Sequence, residues 1–270
     1  MENLVSIPIR NLPSNFTKGI HTHQRNYSVT MLINDNENSE VIPCSGTLAK
    51  IGDHIGIITA GHVWDEAKKH QFLLILVGQG NYAFETKYII PAMPPYASVL
   101  NEYDDVRVPD ICFLKLPNKY SSDLEAKGKV FLNINKRNKE KSYVPDTKHG
   151  YWTVFGNPNE WLNTDEKKVS SLIYGTGVKK CFEINDWDYF VMSLNTPENP
   201  EIPKDFSGMS GGGIWWTSWS CDEKQKMFRF KSPSLAGVSF FQTRESNRVI
   251  LGHGPKSIYE LLYKYVLRNK

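Results

Sequence analysis

The stretch "KDFSGMSGGGIWW", residues 204–216, sets a serine among glycines: Gly208-Met209-Ser210-Gly211-Gly212. A serine hydroxyl is a weak nucleophile until a positioned base takes its proton, so Ser210 does chemistry only if the chain brings it one. Without a base, a serine in a glycine-rich turn is a structural residue. Two other sets of residues could carry chemistry. His21 and His23, in "IHTHQ", read as alternate residues of a strand, which share a face and could form half of a metal site. No further cysteine or histidine cluster completes that site, so surface histidines are favoured and no metal or cofactor is expected. The four cysteines, Cys44, Cys112, Cys181 and Cys221, lie far apart with no C-x-x-C pair. They suit reduced, mostly buried thiols better than a disulfide framework.

The elements around these residues read as strands. Candidates rich in β-branched and aromatic residues are 27–33, 46–51, 54–60, 72–77, 111–116, 130–134, 151–156, 169–175, 189–194, 213–219, 227–231, 235–241 and 248–251. Trp215, Trp216 and Trp219 belong to such a strand rather than to a ligand cage. Many short strands with turn signals between them point to sandwiches or barrels. Two helices are expected, one over 62–70 and one closing the chain over 255–269. The second has Pro255 near its start and Ile258, Leu261, Leu262, Tyr265 and Val266 on one face. A polar, lysine-rich segment, 126–150, reads as a crossover between two β units. Its basic run "NKRNKEK" lacks interleaved stacking aromatics, so it is read as a solvated face and no nucleic-acid partner is expected. A chain of 270 residues with net charge +3 fits one large or two small globular domains. It shows no secretory signal at its start and no apolar run of bilayer length, so no membrane partner is expected either.

Two arrangements place a nucleophilic serine among glycines. The nucleophile elbow needs a helix directly after the serine, and acid and histidine partners later in the chain. Here "GGGIWWTSW" follows, a poor helix start and a plausible strand, and the only later histidine is His253. The other arrangement needs histidine, acid and serine in that order. "GIITAGHVW" ends a strand in Thr59-Ala60-Gly61-His62, and "PDICFLKLP" puts Asp110 at the head of an apolar strand. These blocks resemble the "TAAHC" and "DIALLKL" blocks of trypsin-like serine proteases, and "GMSGG" resembles their "GDSGG". "CSGTLAKIG" resembles the strand before the histidine block, and "YWTVFGNP" the strand that opens the second barrel of bacterial relatives. The resemblance covers roughly residues 25–268, in order. It implies an all-β chain of two six-stranded antiparallel Greek-key barrels with a C-terminal helix, divided as 20–125, a linker over 126–150, and 151–270. It also implies His62 as general base, Asp110 as the acid that orients it, and Ser210 as nucleophile, with the amides of Gly208 and Ser210 as oxyanion hole. Asp104 and Asp105 are rival acids, but neither heads a strand.

Departures from the secreted family matter. Val63 follows His62, so Cys44, which matches the family's first cysteine, lacks its usual partner, and a cytoplasmic location is expected. Met209 stands where digestive trypsins carry the aspartate that pairs with a freed N-terminus, so activation by clipping is not expected. By alignment on Ser210, Lys204 falls near the base of the primary pocket, and "GVSFFQ" supplies Ser239, Phe240 and Phe241 as a pocket wall. Lysine suggests an acidic residue before the scissile bond, the phenylalanines a shallow pocket, and the two hints stay unresolved. The reading is a serine endopeptidase of narrow specificity, acting on a protein or peptide and gated by an activating protein partner or ligand if not by specificity alone. A catalytically silent homologue that binds peptides or scaffolds a complex, and a non-proteolytic acyl hydrolase on the same site, are the alternatives.

Overall fold

Alternation along the chain builds the first sheet: in β1 (Ser28–Asp35) Val29, Met31 and Ile33 all point inward and are fully buried. The computed structural model describes residues 12–35, 40–70, 73–77, 80–84, 87–89, 109–140, 145–147, 149–163, 168–194, 202–222, 227–230, 233–243 and 248–268. Further strands of this sheet are β2 (Glu40–Ile51), β3 (His54–Thr59), β4 (Leu73–Val77), β5 (Gly80–Phe84), β6 (Lys87–Ile89), β7 (Cys112–Lys115) and β8 (Leu132–Asn133). They pair in the order β5-β4-β1-β2-β3-β7-β6, all antiparallel, with the two-residue β8 added parallel to β2.

The second sheet opens with β9 (Tyr151–Gly156), buried at every residue. A small hairpin of β10 (Leu162–Asn163) and β11 (Lys168–Val169) follows, then β12 (Leu172–Thr176), β13 (Val178–Ile184), β14 (Trp187–Ser193) and β15 (Gly213–Thr217). After a second hairpin, β16 (Trp219–Asp222) with β17 (Met227–Phe230), come β18 (Ser234–Gln242) and β19 (Val249–His253). The antiparallel order is β12-β9-β15-β18-β19-β14-β13, with the non-sequential neighbours of a Greek key.

The all-β class is therefore as expected. Two such sheets are consistent with the expected pair of barrels, though among the described residues they hold eight and seven hydrogen-bonded strands rather than six each. Short pieces such as β8 extend the first. The seventh strand of the second is β13, a mostly exposed edge strand, "VKKCFEI", whose lysines and glutamate mask any apolar alternation. One buried cluster runs through both sheets, from Met31, Leu48 and Ile57 to Trp215, Val238 and Leu251.

Helices sit at the ends and over the seam. α1 (Ser14–Tyr27) holds His21 and His23, which the sequence reading placed on a strand. Two residues apart on a helix, they point to nearly opposite sides, so the shared metal-binding face is lost. Gly19 and the β-branched Thr17 and Thr22 are poor helix formers, and what makes the helix is a stripe of Phe16, Ile20 and Gln24. Phe16 and Ile20 pack on Tyr151 of β9, and Gln24 Nε2 donates to Thr153 Oγ1 at 2.7 Å. α1 thus leads into the first sheet while docking on the second.

α2 (Gly61–Lys69) and the closing helix are as expected. The latter starts with a π-type turn over Ser257–Leu262 and continues as α5 (Tyr263–Arg268) after α3 (Asn118–Ala126) and α4 (Ile134–Glu140) have bridged the two sheets. The Asp188 carboxylate of β14 caps that closing helix, accepting the Lys256 and Ser257 N–H groups at 3.0 and 2.6 Å. The basic run of the crossover is largely α4, tied to the β2–β3 turn through Asn135 and Gly52.

If α1 is an integral strap, Ile20→Ala costs about 2–5 kcal/mol of unfolding free energy. The exposed Lys18→Ala stays within about 0.5 kcal/mol. Urea unfolding of both variants checks this, and equal stabilities would mean the helix is not docked.

Candidate active site

β3 runs into the fully buried Ala60 and delivers the chain to the first turn of α2, where His62 is the second residue. The first amides of a helix have no partner within it. Here the Asp110 carboxylate supplies one: Oδ1 accepts the His62 N–H at 2.8 Å, and Oδ2 lies 2.6 Å from His62 Nδ1. The approach is close at Gly61, where an added Cβ would lie 3.1 Å from Asp110 Oδ1, a tight contact to which the carboxylate would have to yield slightly. The carboxylate side chain is 10% exposed and the imidazole 46%. With Asp110 ionised, Nδ1 is the donor and Nε2 keeps its lone pair. Desolvation pulls the imidazole pKa down, but the charge and hydrogen bond of Asp110, with Asp65 and Glu66, outweigh it and hold the pKa above 6.5. Asp104 and Asp105, the rival acids, lie outside the described residues.

The serine loop is two successive turns. Met209 N–H donates to Phe206 O at 3.0 Å and Gly212 N–H to Met209 O at 2.9 Å. The third residue of each is a glycine with positive φ, Gly208 at 90° and Gly211 at 86°, as type II turns require. At Gly211 an added Cβ would sit 1.9 Å from Thr59 Oγ1 and 2.1 Å from Ser45 O, so only glycine fits. The loop is stitched to both sheets: Ser45 N–H donates to Ser210 O at 3.0 Å, and Gly211 N–H to Ser239 O at 2.7 Å. The Ser210 hydroxyl donates to Phe240 O at 3.3 Å. Among the described residues no hydrogen bond joins Ser210 Oγ to His62 Nε2.

The N–H groups of Gly208 and Ser210 have no hydrogen-bond partner among the described residues. A trans peptide points its C=O and N–H in opposite directions, so whatever holds the carbonyl aims the amide. Ser207 O is held by Asn159 N–H at 2.7 Å. Met209 O is held by Gly212 N–H and by Ser239 Oγ, both at 2.9 Å. The peptide between them is fixed by Ser45, whose Oγ donates to Gly208 O at 2.9 Å. Ser45 Oγ also accepts Asn157 N–H at 2.9 Å and Asn157 Nδ2 at 3.0 Å. The Asn157 amide oxygen in turn accepts Thr30 Oγ1 at 2.9 Å and Ser171 Oγ at 2.8 Å. Sequence reasoning missed Ser45, Asn157 and Asn159. Their only signal was position, within the two blocks "CSGTLAKIG" and "YWTVFGNP" and just after the second.

The tentative pocket residues separate. Lys204 is exposed, and its N–H and that of Asp205 are held by the Glu160 carboxylate at 3.0 and 2.9 Å. Ser239 is buried behind the serine loop. Phe240 is buried, its ring 5.0 Å from the His253 ring and 6.1 Å from that of Tyr189, so its carbonyl rather than its ring faces Ser210. Phe241 is half-buried. Cys44 and Cys112 are buried free thiols whose pKa values burial drives upward. No group of three or more histidine, cysteine, aspartate or glutamate side chains among the described residues could hold a metal. No helix among the described residues is long and apolar enough to cross a membrane.

Two antiparallel Greek-key sheets with a histidine–aspartate pair on one and a serine loop on the other define the fold of the chymotrypsin-type serine proteases. Solved structures of that class match the chain along most of its length. The thermostable serine protease AL20, from an extremophilic microorganism, superposes with a TM-score of 0.52 at 13% identity, covering 92% of this chain and 100% of its own. The Rv3671c protease of M. tuberculosis in its active form gives 0.53 at 12% identity, covering 97% and 92%. A Glu endopeptidase gives 0.52 at 14%, covering 92% and 94%. At such identities the likeness is one of fold. No protein-family model and no curated protein sequence matches the chain.

Ser45→Ala leaves Gly208 O and two Asn157 donors without their buried partner. The expected loss is about 1–3 kcal/mol in urea unfolding, and an unchanged midpoint would mean the network contributes nothing net.

Proposed function

We propose that the chain is a serine endopeptidase in which His62, Asp110 and Ser210 act as base, orienting acid and nucleophile. The observation that carries this reading is the pair of unpartnered N–H groups at Gly208 and Ser210, aimed by carbonyls held behind them. Preorganised donors of this kind stabilise a developing oxyanion, one donor being worth roughly 3 kcal/mol in the transition state. The hydrogen-bonded His62–Asp110 pair supports it independently.

In the proposed reaction Ser210 Oγ turns from Phe240 O toward His62 Nε2. Its oxygen bonds to the scissile carbonyl carbon while its proton passes to Nε2. The C–N bond of the tetrahedral intermediate then breaks as His62 returns that proton to the leaving amine. Water, deprotonated by His62, attacks the acyl-enzyme and restores Ser210. Asp110 stays ionised throughout and stabilises the imidazolium. The partner is a protein or peptide substrate. The tightly held serine loop favours a preformed site over one assembled by an activating protein, and the buried Cys44 and Cys112 thiols favour a reducing, cytoplasmic setting. The orientation of Ser210 Oγ toward Phe240 O is the observation that favours the silent, peptide-binding alternative. Catalytic contacts often tighten only when substrate binds, so it weighs less than the free amides.

The test is incubation with a proteome-derived peptide library and with ester substrates, cleavage being read by mass spectrometry. Peptide cleavage that disappears in Ser210→Ala is expected. Ester cleavage alone would favour the acyl hydrolase, and none of either the silent homologue.

The pH profile follows from the His62 pKa. The base must be neutral to act, so kcat/KM rises as pH passes up through a value above 6.5. Asp110→Asn removes the charge that raises that value, so the acid limb moves down, and kcat falls by about 10⁴ through the wrong imidazole tautomer. An unmoved limb would mean Asp110 is not the orienting acid.

A further inference from the structure

His253, the last residue of β19, has no surface exposure. It is paired on both sides within the second sheet, to Val238 of β18 and to Tyr189 of β14. Its ring is boxed by Trp187, Tyr189 and Phe240, with centroids 5.7, 4.9 and 5.0 Å away. An apolar ring would fill that box as well. What the imidazole adds is an acceptor: Nε2 receives the main-chain N–H of Asp110 at 3.0 Å. Nδ1 then carries the hydrogen, and it has no hydrogen-bond partner among the described residues. Burial pushes the His253 pKa down to about 3, Asp110 only partly offsetting it, so the ring stays neutral across the range in which His62 titrates. The ionisable groups that face it are Asp110 itself and the Tyr189 phenol, whose pKa burial raises. The neighbouring Asp188 carboxylate is engaged by Lys256 and Ser257.

The consequence lies at Asp110. Downstream, β7 is held by β3 from Cys112 onward through the Cys112–Thr59 pair. The Asp110 N–H is bound by the other sheet. With the chain fixed on both sides of its α-carbon, the direction of the Asp110 Cα–Cβ bond is set, and with it the aim of both carboxylate oxygens at His62. We propose that His253 is a positioning residue for the acid: through Nε2 it fixes the Asp110 main chain and so the carboxylate's alignment on His62 Nδ1. This rests on reading His62 and Asp110 as the catalytic pair. His253 contacts no reacting atom and moves no proton. The same ring touches Phe240, whose carbonyl receives the Ser210 hydroxyl, so one buried side chain of the second sheet meets both the acid and the residue behind the nucleophile.

The experiment compares His253→Phe, which fills the box without an acceptor, with His253→Gln, whose Oε1 can accept from Asp110. NMR of the labelled full-length chain reads the His62 pKa and its Nδ1–H resonance, and peptide cleavage reads kcat and KM. In His253→Phe the His62 pKa is expected to fall toward 6.5 and the Nδ1–H signal to weaken. kcat should drop by up to about 10²-fold at unchanged KM, as small misplacements near reacting groups do. His253→Gln should recover most of each. If His253→Phe does not fold, His253→Leu is read in its place. A wild-type His62 pKa and kcat in the folded apolar variant would overturn the proposal, as would a His253→Gln enzyme no better than it. The NMR readout does not depend on cleavage. A His62 pKa that responds to His253 in a chain that cuts nothing would refute the protease reading and leave the positioning intact.

Discussion

Two hydrogen bonds from Ser45 to the serine loop are the constraint on which the site depends. Its N–H holds Ser210 O at 3.0 Å and its Oγ holds Gly208 O at 2.9 Å, so one residue of the first sheet grips the loop on both sides of Met209. Neither sheet can make the site alone. The first carries His62 and Asp110, the second carries Ser210, and the loop is correctly placed only where the two meet. The glycines follow from this contact. Gly211 presses on Thr59 and Ser45 O of the first sheet, so a side chain there would push the sheets apart. Gly208 presses on Asn157 O and Asn159 just after β9, so a side chain there would displace the loop from its own sheet.

The same seam explains how a buried acid is tolerated. An ionised carboxylate removed from water needs compensating donors. Asp110 has the His62 N–H and the His62 ring, while its own N–H is satisfied by His253. Along the chain the buried Ile111, Cys112 and Phe113 follow it, and Phe240 and Tyr189 pack against the His253 ring. The carboxylate is hydrogen-bonded directly to the imidazole, and its charge, with those of Asp65 and Glu66, outweighs the imidazole's desolvation.

How much was legible in the sequence followed from the range of each interaction. His62, Asp110 and Ser210 sit at strand ends or in glycine turns, and local patterns mark such places. β1, β3, β9 and β18 announced themselves by runs of β-branched and aromatic residues. α1 did not, because its helix depends on Tyr151 and Thr153, more than a hundred positions away, and not on its own weak propensity. β13 did not, because an exposed edge strand has no inward face to pattern. The Ser45–Asn157 network was out of reach for the same reason as α1. Its partners are 112 positions apart, and a serine after a cysteine looks like any strand residue until the second sheet is laid against it.

The central claim is that this loop presents a nucleophile already equipped with an oxyanion hole. Reaction of the purified chain with a fluorophosphonate probe, followed by intact mass, tests it without knowledge of any substrate. A phosphonate on serine carries an oxygen that an oxyanion hole formed by the Gly208 and Ser210 amides would receive. The account predicts a single adduct on the wild-type chain and none on Ser210→Ala. A folded wild-type chain that takes up no probe would contradict it, because the amides and the His62–Asp110 pair would then be in place without activating the serine.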